Sequence, residues 1–288
     1  MGGLKHGAGA LLAWLALGQG AYGQAQVPVR GLTIAANPNL SPIELLNNFG
    51  PFARALEKEL GVKVSMVSGK DYEDTIALLR SGQVDIAGSG AFGYVSARAE
   101  FGAKMIVRYI EEGGEFYHSL IIVRADSGID SLKALKGKRF AFTDNKSTSG
   151  YLMPLLALQA QGVDLKDLGR IDFVKKQPNA AIAVFDGQAD AGAMADNQLN
   201  EKYGVKLAQL KVLWKSAPIP HGVWMAGPGM ADAEVHRIAR AILTVSHGEE
   251  AMRGLAKASV RGFAEGHDSD FDAVRAARQL LEKRGQHQ

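Results

Sequence analysis

Residues 79–87, Leu79-Arg80-Ser81-Gly82-Gln83-Val84-Asp85-Ile86-Ala87, and residues 184–192, Val184-Phe185-Asp186-Gly187-Gln188-Ala189-Asp190-Ala191-Gly192, follow one plan 105 positions apart. In each, an apolar helix end meets a glycine, then a glutamine, an apolar residue, an aspartate and the start of a strand. Glycine suits the left-handed residue that closes a helix. A helix that returns straight into a strand is half of a βαβ unit. Such junctions are common and carry no function by themselves. Their recurrence also fits two similar α/β lobes in one chain, with a ligand taken up between them by hinge closure.

The flanking sequence extends the pattern. Residues 31–36 form a short apolar strand ending at the turn signal Asn37-Pro38-Asn39. Ser41-Pro42-Ile43-Glu44 has a helix start written into it: Ser as N-cap, Pro at the first position, Glu at the third. That helix is expected to run to Leu60, followed by a strand over 62–67, a helix from Asp71 to near Gly82 and a strand over 84–87. The alternation resumes with strands over 119–123, 139–143, 171–175 and 189–193, and helices over 148–161 and up to Phe185. From Asp232 the chain reads as mostly helical, over 234–247, 249–258 and 271–284. The fold class expected is α/β, with two lobes, each a mainly parallel sheet flanked by helices.

Residues 1–25 read as a secretory signal: Lys5 and His6, then ten apolar residues over 8–17, then small residues offering a cleavage site at Ala21-Tyr22-Gly23 or Gly23-Gln24-Ala25. A buried N-terminal helix is the other reading. Loss of that segment removes one lysine and leaves a net charge of +2. The 288 residues contain no cysteine, which excludes thiol catalysis, iron–sulfur clusters and Cys-ligated zinc. An exported chain without disulfides fits a bacterial periplasm. The lysines and arginines form no basic stripe, and no nucleic-acid partner is expected.

The strongest chemical signal is Phe140-Ala141-Phe142-Thr143-Asp144-Asn145-Lys146-Ser147-Thr148-Ser149-Gly150-Tyr151-Leu152. A strand runs into a polar turn, and Ser147, Thr148, Ser149 and Gly150 then open an apolar helix. A helix start offers unpaired N–H groups and partial positive charge. Added hydroxyl donors, and a glycine that lets an anion approach the backbone, make a cup for a tetrahedral oxyanion. Plain helix capping uses the same residue types. Gly88-Ser89-Gly90-Ala91-Phe92-Gly93 matches G-x-G-x-x-G but follows a third strand and lacks the acid a dinucleotide site needs; a turn bringing Ser89 to the cleft is the reading taken. Tyr117, just before a strand, offers a phenol to an anion or serves as an interface aromatic. His118 reads as structural. Asp196, with Asn197, follows the second echoed strand at its ligand-facing edge or caps a helix. The histidines at 6, 118, 221, 236, 247, 267 and 287 give no H-E-x-x-H pair, and neither a G-x-S-x-G elbow nor a G-x-x-x-x-G-K loop occurs. No catalysis, metal or cofactor is expected.

These residues resemble the phosphate/phosphite/phosphonate-binding proteins of bacterial ABC importers, within the type II periplasmic binding fold. The resemblance lies in Ser41-Pro42-Ile43-Glu44-Leu45-Leu46, Gly82-Gln83-Val84-Asp85, Phe116-Tyr117-His118-Ser119, Ser147-Thr148-Ser149-Gly150-Tyr151, Asp190-Ala191-Gly192-Ala193 and Trp214-Lys215-Ser216-Ala217-Pro218-Ile219-Pro220. It implies that Ser147, Thr148 and Ser149 grip a phosphorus oxyanion, that Tyr117 adds a contact, and that an acid near Asp196 helps hold an amine in aminophosphonate binders. Two positions depart from the family. Gln177 stands where a histidine is frequent, and His221-Gly222 follows Pro220 where an acid is frequent. Both are counted among the ligand-binding residues expected here. The second departure argues for a compact oxyanion over an aminophosphonate, and an acid placed at 222 is expected to narrow that preference.

The chain is thus expected to have a signal over 1–25, a first lobe over 26–117 plus 224–288 and a second over 118–223. It is expected to be a periplasmic monomer that delivers a small oxyanion to an ABC permease in the inner membrane. A sensor of the same fold reporting to a membrane histidine kinase is the alternative.

Overall fold

The computed structural model describes residues 31–36 and 41–283. The expected signal over 1–25, the turn at 37–39, and His6 and His287 lie outside them. The chain opens with β1 (Leu32–Ala36), α1 (Pro42–Leu60), β2 (Val64–Ser68), α2 (Tyr72–Arg80), β3 (Ile86–Ser89), α3 (Ala91–Phe101) and β4 (Lys104–Glu111). It continues through β5 (Phe116–Tyr117), β6 (Ser119–Arg124) and β7 (Arg139–Phe142). A π-helical turn, Thr148–Leu152, then leads into α4 (Met153–Ala160), followed by β8 (Arg170–Phe173), α5 (Gln177–Phe185), β9 (Ala191–Ala195) and β10 (Leu210–Lys215). The return is β11 (Ile219–Pro220), β12 (Val223–Ala226), α6 (Asp232–Val245), α7 (Glu249–Lys257), β13 (Val260–Ala264) and α8 (Asp272–Lys283).

The helix start at Ser41 is a full capping box: Ser41 accepts from the Glu44 N–H, and Glu44 accepts from the Ser41 N–H. The echo between 79–87 and 184–192 is a shared hydrogen-bond plan. Gly82 (φ 72°) and Gly187 (φ 71°) take the left-handed conformation beyond α2 and α5. Asp85 accepts from the Thr33 N–H and donates its own N–H to the Thr33 carbonyl; Asp190 does the same with Arg139. Each aspartate thereby fastens a strand to its parallel neighbour and delays its start. This is why β3 and β9 begin two residues later than the sequence pattern suggested.

The fold is α/β with two sheets, in the strand orders β13-β4-β12-β3-β1-β2 and β10-β6-β9-β7-β8. Most strands of each sheet run in one direction, as expected, with β12 and β13 reversed in the first and β6 in the second. In the first, β12 runs antiparallel to both β3 and β4; in the second, β6 runs antiparallel to β9. Both are the strands that follow a crossing between the sheets. The chain leaves one sheet at the C-terminal edge of its parallel strands and meets the other at the same edge, so the arriving strand must run back. At the crossings β5 pairs with β11. The chain beyond Asp232 is mostly helical, as expected, and β13, between α7 and α8, adds an edge to the first sheet.

Trp224 on β12 is fully buried among Phe52, Tyr109 and Phe263, with ring centroids 5.0–6.2 Å away. This cluster fixes the strand that arrives last in the first sheet. On the other side of the molecule, α8 packs against both α3 and α4 and so touches both halves. The halves also meet through Lys175 and Asp71 (3.1 Å), Lys146 and Glu100 (3.3 Å), and Asn145 and Glu73 (3.4 Å).

Candidate functional site

The C-terminal ends of the parallel strands face one pocket, and helices begin there. Its wall includes Tyr72, the first residue of α2; Gly90, the N-cap of α3; Ser147 and Thr148 at the start of the π-helical turn; and Gln177, the first residue of α5. Each helix start carries the equivalent of roughly +0.5 charge. Among the described residues, neither lysine nor arginine lines this pocket. Attraction for an anion would therefore have to come from backbone dipoles and hydroxyl protons, against the Glu111 carboxylate in the same lining.

The hydroxyls are oriented by what they accept. Ser147 Oγ accepts from the Gly150 N–H (3.0 Å) and from Gln177 Nε2 (3.1 Å). Ser149 Oγ accepts from Gln177 Nε2 at 3.2 Å, and Thr148 Oγ1 accepts from the Phe92 N–H at 2.8 Å. A hydroxyl has one proton and two lone pairs. Ser147, with both lone pairs engaged, has its proton left to point at an acceptor, and Thr148 and Ser149 have one lone pair engaged each. The turn itself is widened: Leu152 N–H reaches the Ser147 carbonyl and Met153 N–H reaches that of Thr148. Its first amides have no acceptor within the helix. Ser119 Oγ donates to the Ser149 carbonyl at 2.7 Å and anchors the turn to β6.

The remaining wall comes from the crossings. The Tyr117 hydroxyl meets the side chains of Ser149 and Thr148, and burial pushes the phenol's pKa up, so it stays a protonated donor. His221 stacks on Tyr117 with centroids 5.0 Å apart. Its Nδ1 lies 3.5 Å from Glu111, while its buried Nε2 has no partner among the described residues. Asn197 Nδ2, from the second sheet's side, donates to Glu111 at 2.6 Å.

Of the residues singled out in the sequence, Tyr117, Ser147, Thr148, Ser149, Gln177 and His221 come together in the lining, and three do not. Ser89 turns its hydroxyl toward Gly93, where a Cβ would stand 2.0 Å from it, so the G-x-G-x-x-G match is a packing device. Gly150 does not open the backbone to an anion. Its N–H is spent on Ser147, and a Cβ there would lie 2.2 Å from Thr143 Oγ1, so glycine is needed for the turn to sit on β7. Asp196 accepts from the N–H groups of His118 and Asn197 and pairs with Lys215 at 3.6 Å, tying the crossing to the end of β9. Tyr72, Tyr109, Glu111, Asn197 and Gln198 line the pocket without having been singled out as ligand contacts. The helix start read at Asp71 was the one sequence signal near Tyr72.

The sequence profile of the family described as "ABC transporter, phosphonate, periplasmic substrate-binding protein" matches residues 34–271. The chain belongs to this family. The phosphate-import protein PhnD of Mycolicibacterium smegmatis is 33% identical over 223 residues, 72% of this chain and 69% of that protein. The phosphonates-binding periplasmic protein of Escherichia coli is 31% identical over 198 residues, 66% of this chain and 57% of that protein. The structure of PhnD1 from Prochlorococcus marinus in complex with methylphosphonate superposes with a TM-score of 0.75 at 22% identity, over 88% of this chain and 98% of that one. The phosphonate-binding family is one of periplasmic solute-binding proteins of ABC transporters, which does not favour the sensor alternative. No helix among the described residues is long and apolar enough to cross a membrane.

Proposed function

We propose that the pocket captures a phosphorus oxyanion (phosphate, phosphite or a phosphonate) in the periplasm, and that closure of two lobes presents it to an ABC permease. The lobes are residues 26–117 plus 224–288 and residues 118–223, hinged at the β5–β11 pair. The chain acts as a monomer that binds and releases without chemistry on the ligand. One observation carries the reading: Ser147 accepts from both Gly150 and Gln177, and Thr148 and Ser149 accept one bond each from Phe92 and Gln177, an arrangement that favours turning hydroxyl protons toward an anion. The names of the two sequence relatives, a phosphate importer and a phosphonates-binding protein, support the same ligand class.

Ligand contacts come from both lobes, so ligand binds the closed form better and shifts the population toward it. Calorimetry with phosphate, phosphite, methylphosphonate and sulfate tests the ligand class, and scattering tests closure. A bound ligand at ~100 times its dissociation constant should raise stability by ~2.7 kcal/mol and reduce the radius of gyration. Binding of none of the phosphorus oxyanions would overturn the reading.

A further inference from the structure

A second chamber adjoins the oxyanion pocket and shares Tyr109, Glu111, Asn197 and Gln198 with it. It encloses about 850 Å³, counting its open mouth. Its far walls hold Lys257, at the end of α7, and Lys202, in the short helical turn Glu201–Tyr203 that follows β9. Among the described residues neither lysine is salt-bridged, and Lys202 Nζ stands 5.2 Å from the centroid of the Tyr203 ring. Glu111, the acid of this chamber, is already engaged by Asn197 and faces His221. The chamber thus sets two lysines, one from each half of the molecule, against the single carboxylate of Glu111.

The backbone adds a second sign. Ser259 lines the chamber with φ at 64°, the left-handed region, between α7 and β13. Glycine would hold that conformation at lower cost. That conformation belongs to the turn that ends α7, and it sets a hydroxyl-bearing residue in the same lining as the two lysines.

We infer that the ligand is a phosphonate or phosphate ester whose substituent carries its own anionic group, a carboxylate or a second phosphorus oxyanion, seated between Lys202 and Lys257. This rests on the oxyanion reading of the adjoining pocket. The phosphorus group takes the hydroxyl cup, a short spacer passes Tyr109, and the second anion meets one lysine from each lobe. An ammonium substituent would meet the same two cations and be repelled.

Calorimetry at one ionic strength tests this with methylphosphonate, propylphosphonate and 3-phosphonopropionate as probes. The carboxylate-bearing ligand should bind at least about tenfold more tightly than propylphosphonate, a gap of ~1.4 kcal/mol. The variant Lys202→Ala/Lys257→Ala should reduce that preference to about twofold or less. Removing two charges outside the chamber, in Lys133→Ala/Lys138→Ala, should leave it in place. Equal affinities in the unaltered protein, or a preference that survives loss of both chamber lysines, would overturn the inference while leaving the oxyanion pocket standing. Failure of phosphate and of all three phosphonates, 3-phosphonopropionate included, to bind would overturn both.

Discussion

Ala195 fixes the orientation of Gln177: its N–H donates to Gln177 Oε1 at 2.8 Å, so the side-chain NH₂ must face Ser147 and Ser149. The orientation of the two serines follows from that bond. In Gln177→Glu, a nearly isosteric carboxylate would draw the serine protons to itself and leave lone pairs facing the ligand. Affinity for phosphate or methylphosphonate should fall at least ~100-fold, about 2.7 kcal/mol. Gln177→Ala, which only releases the serines, should cost closer to ~tenfold. Equal losses in calorimetry would show that Gln177 does not set the donors' direction.

Ser147 and Thr148 should separate in stability though not in binding. Each hydrogen bond to a charged ligand is worth ~1.5–3 kcal/mol, so either alanine variant should weaken affinity by about that much. Ser147→Ala loses a cap, ~1 kcal/mol. Thr148→Ala also strands the buried Phe92 N–H, at ~1–3 kcal/mol. Thr148→Ser should restore both properties. Denaturant melts beside calorimetry give both numbers, and full retention of stability in Thr148→Ala would contradict the cross-lobe bond.

A compact oxyanion should bind at least ~tenfold more tightly than 2-aminoethylphosphonate. The acid in the lining is Glu111 rather than Asp196, and it is already engaged. Placing an acid at position 222 cannot test this, because a Cβ there would stand 2.2 Å from the Ser89 carbonyl oxygen. His221→Asp can: it puts a second carboxylate beside Glu111 and should narrow the gap by several-fold. Competition binding checks both proteins, and tighter aminophosphonate binding by the unaltered protein would refute the argument.

Asp144 is almost fully buried, with one carboxylate oxygen unpartnered among the described residues. Burial pushes its pKa up, and the nearby Asp71 adds to this; the Lys146 N–H and Lys175 act the other way. A raised folded pKa means that the folded state holds the proton more tightly than the unfolded chain. Ionisation therefore costs stability at neutral pH, and the cost fades as pH falls. Asp144→Asn should raise Tm at neutral pH by about 2–4 °C, the worth of ~1 kcal/mol in a chain of this size. The difference should vanish toward pH ~4. A variant equally or less stable at neutral pH would contradict the burial cost.

Local chemistry was legible in the sequence. The capping box at Ser41, the paired Gly–Gln–x–Asp junctions and the Ser147-Thr148-Ser149 run each express interactions within a few residues. What escaped was set from afar. Helix α3 is buried on most sides over 91–97 and so shows no amphipathic period. Strand β13 carries a glycine and pairs only with the edge of β4. Glu111 ends a strand, and nothing near it in sequence tells that Asn197 and His221 will close on it. The mixed strand directions likewise follow from where the chain crosses, a property of topology and not of periodicity.

The placement of β12 between β3 and β4 sets an order of assembly. Residues up to Glu111 leave the synthesis machinery as a sheet with a gap one strand wide, which only the chain beyond residue 222 can fill. The second sheet, over 119–215, is by contrast a continuous stretch that can close on itself. Pairings across so long a sequence separation form slowly. The first half must therefore wait for the second to be made before its sheet is whole.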